Sequence, residues 1–397
     1  MISYYPPCLL PFLQRKAWRF HTPSPRLYLS WEDALWEIVP ALRLRPDCTI
    51  LLPDFYCLDV THNIEAHGYR VAAYPLDTNF QIKDELLLTH VRRHHPSILI
   101  LFHAVGITNH QTQSRRFFAA LPQSCFVLED AVHRLLDPQT VKLHNPRHFI
   151  LDSLRKNVPL PGSFCYSDPV IGAQLPDPSG RDWRYRWGTL WLYIWYRLLL
   201  QAGYYLHNPD LVRRAHHHAL RRHDDLVGDA HYGHPGWPWI PLLYRHVDFA
   251  KTAACKARQV ATYLAALKPA LATTTTCTFP RLAPGDWGHL HAFPLVVTLP
   301  AAKSLGKSLD LLNIWAKFPD APWSQSRRVF FLPLGFHLTP TDQVEIIAAI
   351  KVWLRTQPRR PGTTKARTRG RRGHSSRAHS PSTPRRGRAR SGASSRR

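Results

Sequence analysis

Short apolar runs alternate with amphipathic stretches through the first 170 residues. "CTILLP" (48–53), "RVAAYP" (70–75), "SILILFH" (97–103), "CFVLED" (125–130) and "HFILD" (148–152) each predict a strand. Between them, "DELLLTHVRRHH" (84–95) and "RRFFAALPQ" (115–123) carry helical periodicity. Near-continuous apolar strands separated by helices predict an α/β fold, with a mostly parallel sheet covered on both faces. Ligands of such sheets bind at the carboxyl ends of strands. His103, Glu129, Asp130 and Lys156 all fall at or beyond those ends.

The pattern changes from about residue 183. "WGTLWLYIWYRLLLQAGYYL" (187–206) has the length of a membrane span, but Arg197 and Gln201 interrupt it. A buried or interface helix is expected rather than a span, with a membrane-surface helix as the alternative. "RRAHHHALRRHDD" (213–225) predicts a helix whose consecutive histidines point around the axis, so no metal site is expected there. The last third returns to mixed elements. Helices are expected at 249–267, 308–318 and 339–355, the last capped by Thr339 or Thr341, and strands at 291–299 and 328–334. This makes a small C-terminal α+β domain. The boundaries read as 1–240 for the large domain, including the aromatic helical segment 183–226, and 241–356 for the small one.

Composition changes this picture mainly at the C-terminus. The formal charge is +25 over 397 residues, and fourteen of those positive charges fall within 359–397, which holds no acid. The segment 357–397 is almost free of apolar side chains and is expected to be a disordered basic tail suited to non-specific nucleic-acid binding. Seven cysteines, odd in number and without C-x-x-C spacing, predict free thiols in a reducing cytoplasm. The opening "MISYYPPCLLPFLQRK" lacks a signal-peptide pattern.

Several chemistries are excluded by motif. "LGKS" (305–308) has Ala301 where a phosphate loop needs glycine, and no H-E-x-x-H, G-x-S-x-G or G-x-G-x-x-G signature follows a suitable strand. What remains is an acid at one strand end, Asp130, and a lysine after the next strand, Lys156, within "DSLRKNVPLPG" (152–162). A partly desolvated lysine is a nucleophile able to form a Schiff base, and a buried carboxylate needs a cationic partner. Two readings fit this pair: an ion pair at the sheet edge, or a site for pyridoxal phosphate.

The wording and order of segments resemble the DegT-type sugar aminotransferases, a family of fold-type I pyridoxal-phosphate enzymes. "ILILFHAVGITNH" is similar to that family's strand and loop ending in glycine, here Gly106, and "FVLEDAVHRL" resembles its "vIEDaAqa" segment. "DSLRKNVPLPG" is similar to its lysine segment, and "RVFFLPLGFHLTPTD" to its C-terminal domain. The likeness runs from about Leu27 to Arg355.

The resemblance implies pyridoxal 5'-phosphate as cofactor and a keto sugar, nucleotide-linked, with an amino acid donor as substrates. It implies Lys156 as Schiff-base former and general acid/base, Asp130 as partner of the pyridine nitrogen, and His133 as a contact to the ring hydroxyl. Ser153 and the helix start at Ser30, Trp31 and Glu32 would hold the phosphate. It also implies a homodimer with sites at the subunit interface. The chain departs from the family at that helix start: Trp31 stands where glycine is expected, and Glu32 and Asp33 follow. The rival reading is a catalytically degenerate relative that keeps the fold as a binding or scaffold protein, tethered to nucleic acid by its tail.

Overall fold

In the computed structural model of the chain, the described residues are 2–3, 6–20, 25–175, 177, 180, 182–311, 314–315 and 327–358. In chain order the elements begin with β1 (Ile2–Ser3), β2 (Arg26–Tyr28), α1 (Trp31–Ala41), β3 (Thr49–Pro53), α2 (Leu58–Ala66), β4 (Arg70–Tyr74), α3 (Asp84–His94), β5 (Ile98–Phe102), α4 (Arg115–Ala120) and β6 (Phe126–Asp130). Next come β7 (His148–Leu151), α5 (Leu154–Asn157), β8 (Ser163–Tyr166), α6 (Pro169–Gln174), α7 (Trp183–Tyr205), α8 (Pro209–Arg214), a π-helical turn at Ala215–Leu220, α9 (Arg221–Gly228), α10 (Ile240–Tyr244) and α11 (Phe249–Leu271). The chain continues through β9 (Cys277–Thr278), β10 (Phe293–Thr298), α12 (Leu299–Leu311), β11 (Ile314–Trp315), β12 (Arg327–Leu332) and α13 (Pro340–Arg355).

The main sheet has seven strands in the order β2-β8-β7-β6-β5-β3-β4. From β4 to β7 all pairings are parallel, and β8 is antiparallel to both β7 and β2. The expected α/β fold is therefore present, with its parallel sheet where the apolar runs put it. Ile98, Leu99, Ile100 and Leu101 are all buried, which is why β5 reads as an unbroken apolar run. Each such side chain contributes about 1.5–3 kcal/mol of burial before the entropy of ordering is subtracted. Strand order reverses where β3 lies between β4 and β5, and that switch point opens a crevice at the carboxyl edge.

A second sheet, β12-β10-β9, is antiparallel. It packs with α12, which in turn packs against α13, and α13 starts at a capping box of Thr339 and Asp342 with Pro340 in its first turn. Residues 1–360 form one compact unit that includes both sheets. From residue 359 on, the expected basic tail lies outside the described residues.

Two expectations are corrected. The helix expected at 308–318 instead runs Leu299–Leu311, because Pro300 is tolerated in a first turn, where no amide hydrogen is needed; 312–313 and 316–318 are outside the described residues. The aromatic segment, expected to be a buried or interface helix, is α7; it is not fully buried but buries one side and exposes the other. Among the described residues no helix is long and apolar enough to cross a membrane.

Candidate active site

Asp130 is the last residue of β6, so the two-residue strand period decides which acid of the pair Glu129–Asp130 faces the crevice. Glu129 turns to the other side of the sheet, where its carboxylate sits between His103 Nε2 (2.8 Å) and His148 Nε2 (3.0 Å). Burial alone would raise its pKa, but hydrogen bonds from the two histidines hold it down at about 2. His103, which sequence places at a strand end, is thereby committed to the core.

Asp130 points into the crevice. Its Oδ1 accepts from the Val132 N–H (3.0 Å) and its Oδ2 from the Tyr56 hydroxyl (2.5 Å). Burial pushes its carboxyl up to about 6, against the pull of those hydrogen bonds and of Lys156. Neither direct donor is a cation, so this buried carboxyl still favours a positively charged hydrogen-bond partner.

Lys156 sits on α5, the short helix that follows β7, with Ser153 as its N-cap. The exit from α5 is fixed by Gly162, whose φ of +107° suits glycine and which passes close to the Tyr28 carbonyl. Lys156 Nζ lies 3.3 Å from His133 Nε2. Burial, then the neighbouring Arg155 guanidinium, lowers its pKa, while Cys57, Asp130 and Asp224 oppose the shift. Arg155 is itself paired with Asp224 on α9 at 2.8 Å.

His133 is the hub. Its Nδ1 accepts from the Val105 N–H at 3.3 Å, and its ring stacks on His291 with centroids 5.4 Å apart and 12° between planes. Val105 has φ +58°, a strained conformation for a β-branched residue, and its carbonyl accepts from the His291 N–H at 2.9 Å. The strain thus serves to hold His133 and His291 against each other. Gly106 follows because nothing larger fits: a Cβ there would lie 2.6 Å from the His133 carbonyl oxygen and 2.7 Å from that of His289.

The start of α1 closes the crevice. Ser30 caps it, its Oγ accepting from the Asp33 N–H (3.0 Å) and donating to Asp33 Oδ2 (2.6 Å). Asp33 points away from the crevice and also accepts from His234 and Tyr185. Trp31 is buried and meets Tyr56 edge-on. Glu32 lines the crevice, and burial raises its carboxyl to about 7 despite its own backbone N–H, Arg155 and Lys156.

Ser30, Trp31, Glu32, Asp130, His133, Ser153 and Lys156 all line one cavity of about 170 Å3. The structure therefore brings these seven residues together, while His103 and Glu129, also at strand ends, face the other side of the sheet. Sequence reasoning missed the direct bond from Tyr56 to Asp130, the stacking of His291 on His133, and the Asp224 partner of Arg155. Tyr56 carries a weak signal, three residues beyond a strand end in "PDFY", whereas His291 and Asp224 come from distant segments with no spacing cue.

No family model matches the chain, and no curated protein matches it in sequence. Its structure is similar to that of S. venezuelae DesV in complex with ketimine intermediate, with TM-score 0.55 and 16% identity over 83% of this chain and 84% of that one. It is also similar to AtS13 from Actinomadura melliaura, with TM-score 0.52 and 14% identity over 83% and 86%. The sugar aminotransferase CalS13 from Micromonospora echinospora gives TM-score 0.50 and 15% identity over 83% and 87%. At these identities the likeness is one of fold, and the fold is the one the resemblance implies.

Proposed function

We propose that this chain is a pyridoxal-phosphate-dependent aminotransferase that acts on a keto sugar, nucleotide-linked, with an amino acid as donor. The observation that carries the reading is the convergence of Lys156 and Asp130 on one cavity, with His133 beside the lysine. The residues fit the group: a buried carboxyl bonded, among the described residues, to a phenol and an amide suits a protonated pyridine nitrogen, and a lysine of lowered pKa suits attachment to an aldehyde. When bound, the cofactor supplies an electron sink. Asp130 then keeps a proton on the ring nitrogen, since each of its oxygens retains an acceptor site beyond Tyr56 and Val132. Lys156 Nζ takes a proton from the substrate carbon and returns it. His133 would contact the ring hydroxyl. Ser153 and the amides at the start of α1, shaped by the Ser30 cap, face the phosphate.

The reading includes a cytoplasmic homodimer with its sites at the subunit interface. It also includes a cofactor-binding lobe at 1–240, a smaller lobe at 241–356 and a tail that binds nucleic acid without sequence preference. One observation favours the rival, a degenerate relative retained for binding: Glu32 places a carboxyl at the same helix start where a phosphate would lie. Trapping decides between them. Protein mixed with pyridoxal phosphate and reduced with borohydride is expected to carry one adduct, mapped to Lys156 by peptide mass, and Lys156→Ala is expected to carry none. An adduct elsewhere, at Lys256 for example, or no adduct at all, overturns the enzyme reading in favour of the rival.

A further inference from the structure

Trp183, Trp187, Trp191 and Trp195 recur every four residues along α7 and are 46–65% exposed. Ile194, Leu198 and Tyr205 are exposed on the same side. At 3.6 residues per turn these seven positions fall within about 120° of one another. They form a stripe that runs the whole helix, about 35 Å at 1.5 Å per residue. The other side of α7 is also apolar, and there Leu190, Tyr193, Tyr196 and Leu200 are buried. The helix therefore has two apolar faces, only one of which the described residues cover. Contiguous apolar surface of this length marks an interaction site rather than ordinary surface scatter.

The chemistry around the stripe selects the occupant. α7 contains no acid and three arginines: Arg184 is exposed, Arg186 lies over the Trp237 ring, and Arg197 donates to the Pro6 carbonyl. It packs against α8, the π-helical turn and α9, which expose Arg213, Arg214, Arg221 and Arg222 together with His217 and His218. The exposed acids of those elements are Asp210, Asp225 and Asp229, and Asp210 is paired with Arg213 at 2.7 Å. Indole rings with arginines beside them are the side chains that settle at the boundary between lipid headgroups and acyl chains, where one end is apolar and the other wet. A net charge of +25 adds attraction to an anionic surface. A second copy seated across a two-fold axis would instead bring this basic neighbourhood close to its own likeness, which like-charge repulsion disfavours.

We propose that the exposed face of α7 docks on an anionic lipid bilayer, with its four tryptophans at the headgroup boundary and the exposed arginines, Arg184 and those of α8 and α9, on lipid phosphates. The docking is peripheral. It is independent of the aminotransferase reading, because no residue of the stripe lines the cavity.

The test uses the full chain with vesicles of phosphatidylcholine, alone or mixed with phosphatidylglycerol, and with the same lipids brominated in their acyl chains. The expected result is cosedimentation with the mixed vesicles and quenching of tryptophan fluorescence by the brominated chains, persisting in salt that strips purely electrostatic contacts. The triple variant Trp187→Ser/Trp191→Ser/Trp195→Ser should keep its melting temperature and lose about tenfold or more in partitioning, along with most of the quenching. The single variant Trp191→Ser should show the same direction if the triple variant proves unstable. Three outcomes overturn the proposal: no binding to mixed vesicles, binding equal in wild type and variants, which would assign it to the basic tail, or a wild-type oligomer that the variants dissociate, which would give the face to a second copy.

Discussion

Lys156 Nζ lies 3.3 Å from Nε2 of His133, a histidine whose Nδ1 already accepts the Val105 N–H. That second bond fixes the tautomer: with Nδ1 used as acceptor, the neutral ring carries its hydrogen on Nε2, and the lysine amine must accept it. Only an unprotonated amine can do so. Burial lowers the His133 pKa well below the usual range, and it lowers that of Lys156 as well, so both groups favour the neutral pair. The backbone strain at Val105 thus helps to keep a nucleophile ready.

The first prediction concerns that pair. In His133→Ala the amine loses its donor and gains water, so its pKa should move back toward the ordinary lysine range. The rate of adduct formation with pyridoxal phosphate at neutral pH should then fall about tenfold for each unit of that shift. Rates measured across pH would show the inflection at higher pH in the variant. An inflection that stays in place would mean that His133 does not set the lysine's protonation.

Asp130→Asn should separate binding from chemistry. Asparagine can keep both neighbours, since its oxygen accepts from one donor and its amide donates to the phenol oxygen of Tyr56. What it loses is the negative charge that keeps a proton on the ring nitrogen. The cofactor should still bind, while turnover should drop by roughly 10²–10⁴-fold, the scale of a positioned acid–base group. Titration of the cofactor and steady-state rates check the two halves separately, and unchanged turnover would remove Asp130 from the mechanism.

Why these residues were legible, and others not, has a physical basis. β5 announces itself because both of its faces are buried, and Asp130 and Lys156 follow at strand ends, where parallel sheets present ligand groups. The Ser30 cap is also local, a hydroxyl three residues before the amide it binds. The bond from Tyr56 to Asp130 joins positions 74 apart, and His291 reaches His133 from the segment before β10. Such pairs are made by sheet order and by packing of the second sheet, which no local period encodes. The Trp spacing along α7 was readable as one face of a helix, but burial of only the opposite face depends on which helices pack there. Glu32 and Asp33 looked alike in sequence. The helix turns Asp33 toward His234 and Tyr185 and leaves Glu32 in the cavity.

That difference between Glu32 and Asp33 gives a pH prediction. Burial raises the Glu32 carboxyl from 4.5 to about 7, so the folded protein favours its protonated form. The stability it contributes is fully present below 4.5 and is lost as pH rises through about 7. The ionised form would also repel a phosphate at the start of α1. Wild-type affinity for pyridoxal phosphate should therefore weaken as pH rises through about 7, and Glu32→Gln should flatten that slope and bind more tightly above it. Fluorescence titrations at a series of pH values measure this. If the glutamine variant kept the wild-type slope, Glu32 would not face the phosphate.

Lys256 on α11 is a second buried lysine, and among the described residues no acid is bonded to it. Its ammonium nitrogen donates to Asn157 Oδ1 at 3.0 Å and to the Leu290 carbonyl at 2.9 Å. Asn157 adjoins Lys156, and Leu290 adjoins His291, so one amine ties α5 to the segment before β10. Burial lowers its pKa from 10.5 to about 7. The sign follows from linkage: above 10.5 the group is neutral in both folded and unfolded chains, and as pH falls toward 7 only the unfolded chain takes up the proton. Stability should thus rise with pH between those limits, by about 1.4 kcal/mol per unit from this group alone. Lys256→Met keeps the aliphatic volume and removes the titration. Denaturant midpoints at pH 7.5 and 9.5 (values at roughly the edges of the window) should converge in the variant relative to wild type. The loss of both hydrogen bonds should also loosen α5 against the segment before β10, slowing adduct formation even where the variant is fully folded. Midpoints that keep the wild-type pH dependence would show that Lys256 is not the group that titrates, and an unchanged adduct rate would show that the two segments hold their geometry without it.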